Sequence, residues 1–164
     1  MTLPEILEKI KPFETKYACV TGGEPLSQRG TISLIKALLQ AEYIVSLETN
    51  GSLSIKDVPV EVIKVIDVKC PDSGESDKMA WGNFDLVQRH DQFKFVVASK
   101  LDFDWAQSIC QKHLLYERCT VLYSPAFGLV KSAELAGWIL NAKAPVTFQT
   151  QQHKEIWGTD ERGV

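Results

Sequence analysis

The stretch Ala18-Cys19-Val20-Thr21-Gly22-Gly23-Glu24-Pro25 constrains the fold more than any other part of the chain. The residues before the glycines, 16–20, lean β-branched or aromatic and read as a strand. Gly22-Gly23 then takes the backbone out of it at a point where no side chain limits φ. The next segment, 31–41, has helical apolar spacing through Leu34, Ile35, Leu38 and Leu39. Strand, glycine turn and helix in that order place the turn at the carboxyl edge of a parallel sheet, the edge where such folds bind ligands. Two glycines leave backbone N–H and C=O groups bare for a ligand. Glu24 adds a carboxylate beside them, suited to a cationic amine rather than to a phosphate.

The rest of the chain repeats this alternation. A first helix is announced by Thr2 as cap, Pro4 in the first turn and Glu5 reaching back, with Ile6, Leu7 and Ile10 on one face. Further strands are expected at 43–49, 61–69, 92–98, 119–124 and 146–149. Further helices are expected at 83–90, 103–113 and 131–141, with Asn83 capping the first of these. The strand at 61–69 is rich in Val and Ile and reads as buried on both faces. Residues 71–82 contain Ser73-Gly74 and few apolar side chains, which predicts a mobile loop over the site. The sum is an α/β fold of six mostly parallel strands and about five helices, in a single domain over residues 1–164. An alternating fold that opens on a helix lacks the strand that normally precedes it, so a missing N-terminal strand is expected, leaving an edge open to self-association as a homodimer.

Composition excludes several classes of function. Lys+Arg 18 against Asp+Glu 21 gives no electrostatic footprint for nucleic acid or anionic membrane. No apolar run has the length of a membrane span and no signal-peptide pattern opens the chain, so a cytoplasmic protein acting on small molecules is expected. The four cysteines, at 19, 70, 110 and 119, lack the close spacing of a zinc or iron–sulfur site. Cys19 and Cys119 read as packed thiols within strands. Cys70 falls at the same sheet edge as the glycine turn.

The polar clusters share one placement, immediately after strands: Thr21 to Glu24, Glu48-Thr49-Asn50-Gly51, Asp67-Val68-Lys69, and Ser124-Pro125-Ala126-Phe127-Gly128. Each alone has a bland reading, as a turn or a solvated ion pair. Their common edge argues for one shared site.

Taken in order, Thr21-Gly22-Gly23-Glu24-Pro25, Leu47-Glu48-Thr49-Asn50-Gly51, Asp67-Val68-Lys69-Cys70-Pro71-Asp72-Ser73-Gly74, Lys94-Phe95-Val96-Val97 and the tail Gln152-His153-Lys154 with Trp157-Gly158 and Arg162-Gly163-Val164 resemble the 7-carboxy-7-deazaguanine synthase family. The Gly-Gly-Glu-Pro element alone marks only the radical S-adenosylmethionine superfamily. The resemblance implies a partial (βα) barrel that binds S-adenosylmethionine and a [4Fe–4S] cluster. With magnesium, it contracts the ring of 6-carboxytetrahydropterin to a deazapurine on the way to queuosine, taking electrons from a donor such as flavodoxin. It further implies that Gly22, Gly23 and Glu24 hold the methionine part of the cofactor. Asp67, Val68, Lys69, Ser124, Pro125, Ala126 and Phe127 would line its remainder, while Thr21 and the terminal carboxylate of Val164 would meet the substrate. The family carries its three cluster cysteines, its magnesium-binding threonine and a first strand on the N-terminal side of the Gly-Gly-Glu-Pro strand, and this chain shows none of them. Two readings follow: a truncated enzyme, inactive alone, or a cluster-free relative that binds ligand. A third, an aldolase-like barrel using Lys69 to form an imine, rests on that lysine alone.

Overall fold

A computed structural model describes residues 1–158, without the side chains of residues 153–155. Val164 and the rest of the Arg-Gly-Val ending lie outside the described residues. The elements in chain order are α1 (Leu3–Ile10), β1 (Tyr17–Val20), α2 (Thr31–Gln40), β2 (Ile44–Thr49), β3 (Ile63–Lys69), α3 (Asn83–Leu86), β4 (Gln92–Val97), α4 (Lys100–Lys112), α5 (Leu115–Arg118), β5 (Thr120–Pro125), α6 (Ser132–Ala142), β6 (Thr147–Phe148) and α7 (Gln152–Trp157). All six strands are parallel, and they lie side by side in sequence order, β1 to β6. That order arises when every crossover adds the next strand on the same side, the winding of a (βα) barrel left open. Helix α1 starts as its sequence dictates: Thr2 accepts from the Glu5 N–H while the Glu5 carboxylate accepts from the Thr2 N–H.

Side-chain alternation divides the sheet into two faces. Val45, Leu47, Ile66, Val68, Phe93, Phe95, Val121 and Tyr123 point into the layer under the helices and are buried. Aromatic rings fill its centre: Phe84 stacks on Phe93 with centroids 4.4 Å apart, and Tyr123 meets Phe95 and Phe103 edge-on at 5.6 and 5.7 Å. The opposite, concave face is exposed or half-buried along β2, β3 and β4. Strand β3 therefore alternates between half-buried and buried, contrary to the expectation that it would be buried on both faces. Its concave-side residues are Ile63, Val65, Asp67 and Lys69.

Two local expectations are corrected. The helix expected over 83–90 stops at Leu86, and Asn83 is its first residue rather than its cap. Asn83 is buried instead as a clamp. Its Oδ1 accepts from the Ile55 N–H, and its Nδ2 donates to the carbonyls of Gly51 and Leu53. That clamp matters because no helix bridges β2 and β3. The crossover is a loop whose Ile55, Val58 and Val62 cover the sheet in a helix's place. The segment 71–82 is a loop, as its sequence predicts, and carries 3-10 turns at Pro71–Ser73 and Ser76–Lys78. It is pinned by the Ala80 N–H donating to the Gly51 carbonyl at 2.9 Å. Finally, Cys19 is exposed on the edge strand rather than packed, because no strand lies beyond β1 among the described residues.

Candidate functional site

The glycine turn leaves β1 with Gly22 at φ +100° and Gly23 at φ +56°, conformations that a side chain would strain. A Cβ built on either glycine would meet nothing within 4 Å, so the backbone there is open to a ligand. Glu24 is fixed rather than free. Its Oε1 accepts from the Leu26 N–H at 3.0 Å and from Thr49 Oγ1 at 2.9 Å, and its Oε2 accepts from the Asn50 N–H at 2.8 Å. A carboxylate offers about four acceptor sites, so one on Oε2 stays available. Thr49 and Asn50 thus act by holding Glu24, and Gly51 follows from that packing. At φ +70°, a Cβ on Gly51 would collide with the Met79 side chain.

Beside the turn, Thr21, Gly23, Glu48, Asn50, Asp67, Lys69 and Lys94 line a polar cleft of about 160 Å³. Thr21 Oγ1 donates to Glu48 Oε2 at 3.4 Å. Lys69 pairs with Asp67 Oδ2, whereas Asp67 Oδ1 is buried without a hydrogen-bond partner. Ser124 Oγ, on the concave side of β5, is likewise fully buried and unpartnered. Buried polar atoms without partners are uncommon, and two of those among the described residues, Asp67 Oδ1 and Ser124 Oγ, lie on the concave face. Asp102, buried at the start of α4, stiffens this edge. Its Oδ1 accepts from the Asp72 N–H and its Oδ2 from the Ala98 N–H, each at 3.0 Å, joining the loops after β3 and β4.

The predicted set is therefore brought together only in part. Thr21, Gly23, Asp67 and Lys69 share the polar cleft, with Glu24 bonded to its wall at Thr49 and Asn50. Pro125 and Phe127 line a second cleft of about 470 Å³ with Thr150 and Gln151. The Val68 side chain is buried on the helix side, so only its backbone is placed to meet a ligand. Lys69 is held by Asp67 and partly exposed, unlike the desolvated lysines that form imines. Glu48 belongs to a strand-end cluster that the sequence assigns to the shared edge, and the structure brings it into the cleft. Lys94 stands in the sequence only within the Lys94-Phe95-Val96-Val97 string, with no role of its own. Alternation gives the signal for Lys94: between buried Phe93 and Phe95, it must face the concave side.

Two of the four cysteines, Cys70 and Cys110, are buried. The Cys70 thiol is pushed well above its ordinary range, first by burial and then by the nearby carboxylates of Asp102 and Asp67. Burial likewise pushes Cys110 up to about 12 and Cys119 to about 11. No group of three or more His, Cys, Asp or Glu side chains that could hold a metal ion occurs among the described residues. Nor is any helix among them long and apolar enough to cross a membrane.

No family model matches the chain. It is 40% identical over 167 residues to the 7-carboxy-7-deazaguanine synthase of Chlorobaculum tepidum, an alignment covering 100% of this chain and 76% of that protein. The enzyme of the same name from Clostridium acetobutylicum is 36% identical over 172 residues, covering 100% and 76%. Among solved structures, QueE from Escherichia coli superposes with a TM-score of 0.65 at 13% identity, covering 92% of this chain and 64% of that one. SuiB of Streptococcus suis bound to S-adenosylmethionine gives 0.61 at 15% identity, covering 89% and 40%. The chain thus spans about three quarters of these sequence relatives and less than two thirds of the solved QueE. The structural likenesses show the fold alone: this α/β arrangement of six parallel strands superposes on QueE and on SuiB.

Proposed function

The chain belongs to the 7-carboxy-7-deazaguanine synthase family, and on that premise we propose that its concave face is the S-adenosylmethionine- and pterin-binding part of an enzyme that converts 6-carboxytetrahydropterin to 7-carboxy-7-deazaguanine. The observation that carries this reading is the glycine turn with Glu24 locked to the end of β2, beside a concave face whose buried polar atoms lack partners. The free acceptor site of Glu24 and the bare backbone of Gly22 and Gly23 suit the ammonium and polar edge of the cofactor's methionine part. Asp67, Lys69 and Ser124, with Pro125, Ala126 and Phe127, would line the rest. S-adenosylmethionine held by these residues would supply the 5′-deoxyadenosyl group for the family's radical chemistry.

The chain's own residues bind and position. Thr21 and Glu48 act as one unit whose carboxylate accepts from the N–H edge of a pterin, and Asp102 keeps the two loops behind it in register. The terminal carboxylate of Val164 is proposed as a further acceptor for the substrate. The family's iron–sulfur cluster and magnesium do not fit the residues described. Cys19 lies on β1, Cys70 after β3, Cys110 in α4 and Cys119 before β5, and no metal-holding group is assembled from them. These residues account for binding and orientation, not for electron delivery.

Calorimetric titration with S-adenosylmethionine tests the assignment. Glu24→Ala and Gly23→Ala should each weaken binding by roughly 1–3 kcal/mol, the first by leaving the ammonium unpaired and the second by blocking and straining the turn. Unchanged affinity in both variants would remove the cofactor from this site. Anaerobic treatment with iron and sulfide should leave the chain without a stoichiometric cluster and without release of 5′-deoxyadenosine.

A further inference from the structure

Among the described residues, Lys94 is a cation without a partner on the concave face. It sits on β4 opposite Asp67 in the parallel register, where a cross-strand ion pair would be expected. Asp67 is instead engaged by Lys69 from its own strand. The Lys94 ammonium makes no hydrogen bond or ion pair with any described residue. Lys64, the buried lysine of the same sheet, shows the contrast: it donates to the Val62 carbonyl at 2.9 Å and pairs with Asp91 at 3.2 Å.

The position of Lys94 says what it waits for. Two clefts meet at it: the polar one of about 160 Å³ around Thr21 and Asp67, and one of about 450 Å³ bounded by Gln149, Thr150, Gln151 and Trp157. Lys94 and Glu48 line both, on neighbouring parts of the face, and do not pair with each other. A ligand lying across that junction meets an acceptor at one end and a cation at the other. A pterin with a 6-carboxylate has the complementary ends, ring N–H donors and an anion.

We infer that Lys94 binds the carboxylate of the pterin substrate and so selects carboxylated over uncarboxylated pterins. The inference rests on the pterin site proposed above and assigns Lys94 a specificity role within it.

Fluorescence titration of the full chain with two stable probes, 6-carboxypterin and unsubstituted pterin, tests it. The wild type should bind 6-carboxypterin at least about tenfold more tightly, the worth of one charge-assisted hydrogen bond. Lys94→Met should bring 6-carboxypterin down to the affinity of pterin and leave pterin itself unchanged, while Lys94→Arg keeps most of the discrimination. Should Lys94→Met fail to fold by its melting curve, Lys94→Gln serves the same comparison. Full discrimination surviving in the neutral variant overturns the inference, as does equal binding of both probes by the wild type with the pterin site left standing. A loss of S-adenosylmethionine binding in Lys94→Met, without change for 6-carboxypterin, overturns it in favour of the cofactor's carboxylate. Binding of neither probe by the wild type removes the pterin site and this role together.

Discussion

Strand β3 takes part in two lysine–aspartate pairs that look alike in sequence and differ in kind. At its amino end, Lys64 and Asp91 have side chains only 3% and 0% exposed. Every polar atom of that pair is used: Asp91 accepts from the Lys64 N–H and the Gln88 N–H at 2.9 and 2.7 Å, and Lys64 also donates to the Val62 carbonyl. At its carboxyl end, Asp67 and Lys69 are 28% and 35% exposed, and Asp67 Oδ1 has no partner. A buried polar group must be satisfied or cost free energy. The saturated pair therefore belongs to the fold, and the unsaturated one lies where we propose that a ligand bonds. On that proposal, satisfaction rather than charge distinguishes the two pairs.

The sharpest way to break this distinction is to remove one member of the saturated pair. Asp91→Ala should destabilise the chain by roughly 3–5 kcal/mol, because Lys64 would be left buried without its anion and two backbone N–H groups would lose their acceptor. Urea unfolding followed by circular dichroism measures it. A loss under about 1 kcal/mol would mean that water reaches the pair and that its saturation is not structural.

A smaller effect is expected where scaffold and site meet. Thr49→Val removes the hydroxyl that donates to Glu24 and accepts from the Gly51 N–H at 3.2 Å, at a cost of about 1–2 kcal/mol. The same variant should weaken S-adenosylmethionine binding, since Glu24 loses one of its three anchors. Stability and affinity falling together would place Thr49 on the boundary; a fall in stability alone would assign it to the scaffold.

The open side gives the opposite sign. Ser124→Ala deletes a fully buried hydroxyl that bonds to nothing among the described residues, so unliganded stability should stay within about 1 kcal/mol of the wild type or rise. Cofactor affinity should fall instead. A clear loss of unliganded stability would show that Ser124 is satisfied by ordered water and belongs to the scaffold after all.

How much of this the sequence shows depends on the range of the interaction. The alternation of elements, the capped first helix and the glycine turn are local, and they stand where the residues put them. Polar groups at strand ends could be read as one edge because parallel strands share a carboxyl side. What could not be read is which partner satisfies which group. Glu24 is bonded by Thr49 and Asn50, 25 and 26 positions away, and Asn83 clamps a loop 28 or more positions upstream. Nor could one-sided burial be read from the Val- and Ile-rich strand β3, since what lies over each face depends on the whole sheet and its neighbours.

The last and smallest effect sharpens the rule, because His113 is an unsatisfied group away from the concave face. It ends α4 on the helix side, stacked against Trp81 and tilted on Phe84, with ring centroids 6.1 and 4.5 Å apart. Its Nε2 is buried without a hydrogen-bond partner. Its pKa is held below the ordinary 6.5, first by burial and then by the Lys112 charge; Asp85 pulls the other way, and Arg118 adds to the lowering. The folded state therefore takes up the proton less readily than the unfolded chain, so stability rises with pH. This contribution is complete above about 6.5, the unfolded value, and is lost as pH falls through the lower folded one. Melting temperatures of the wild type should drop between pH 7 and pH 5, and His113→Phe, which keeps the aromatic packing, should flatten part of that slope. An unchanged slope would mean that the ring is hydrated in solution. A flattened one would show that an unsatisfied polar atom is tolerated away from any ligand when its cost is a proton kept out of the folded state.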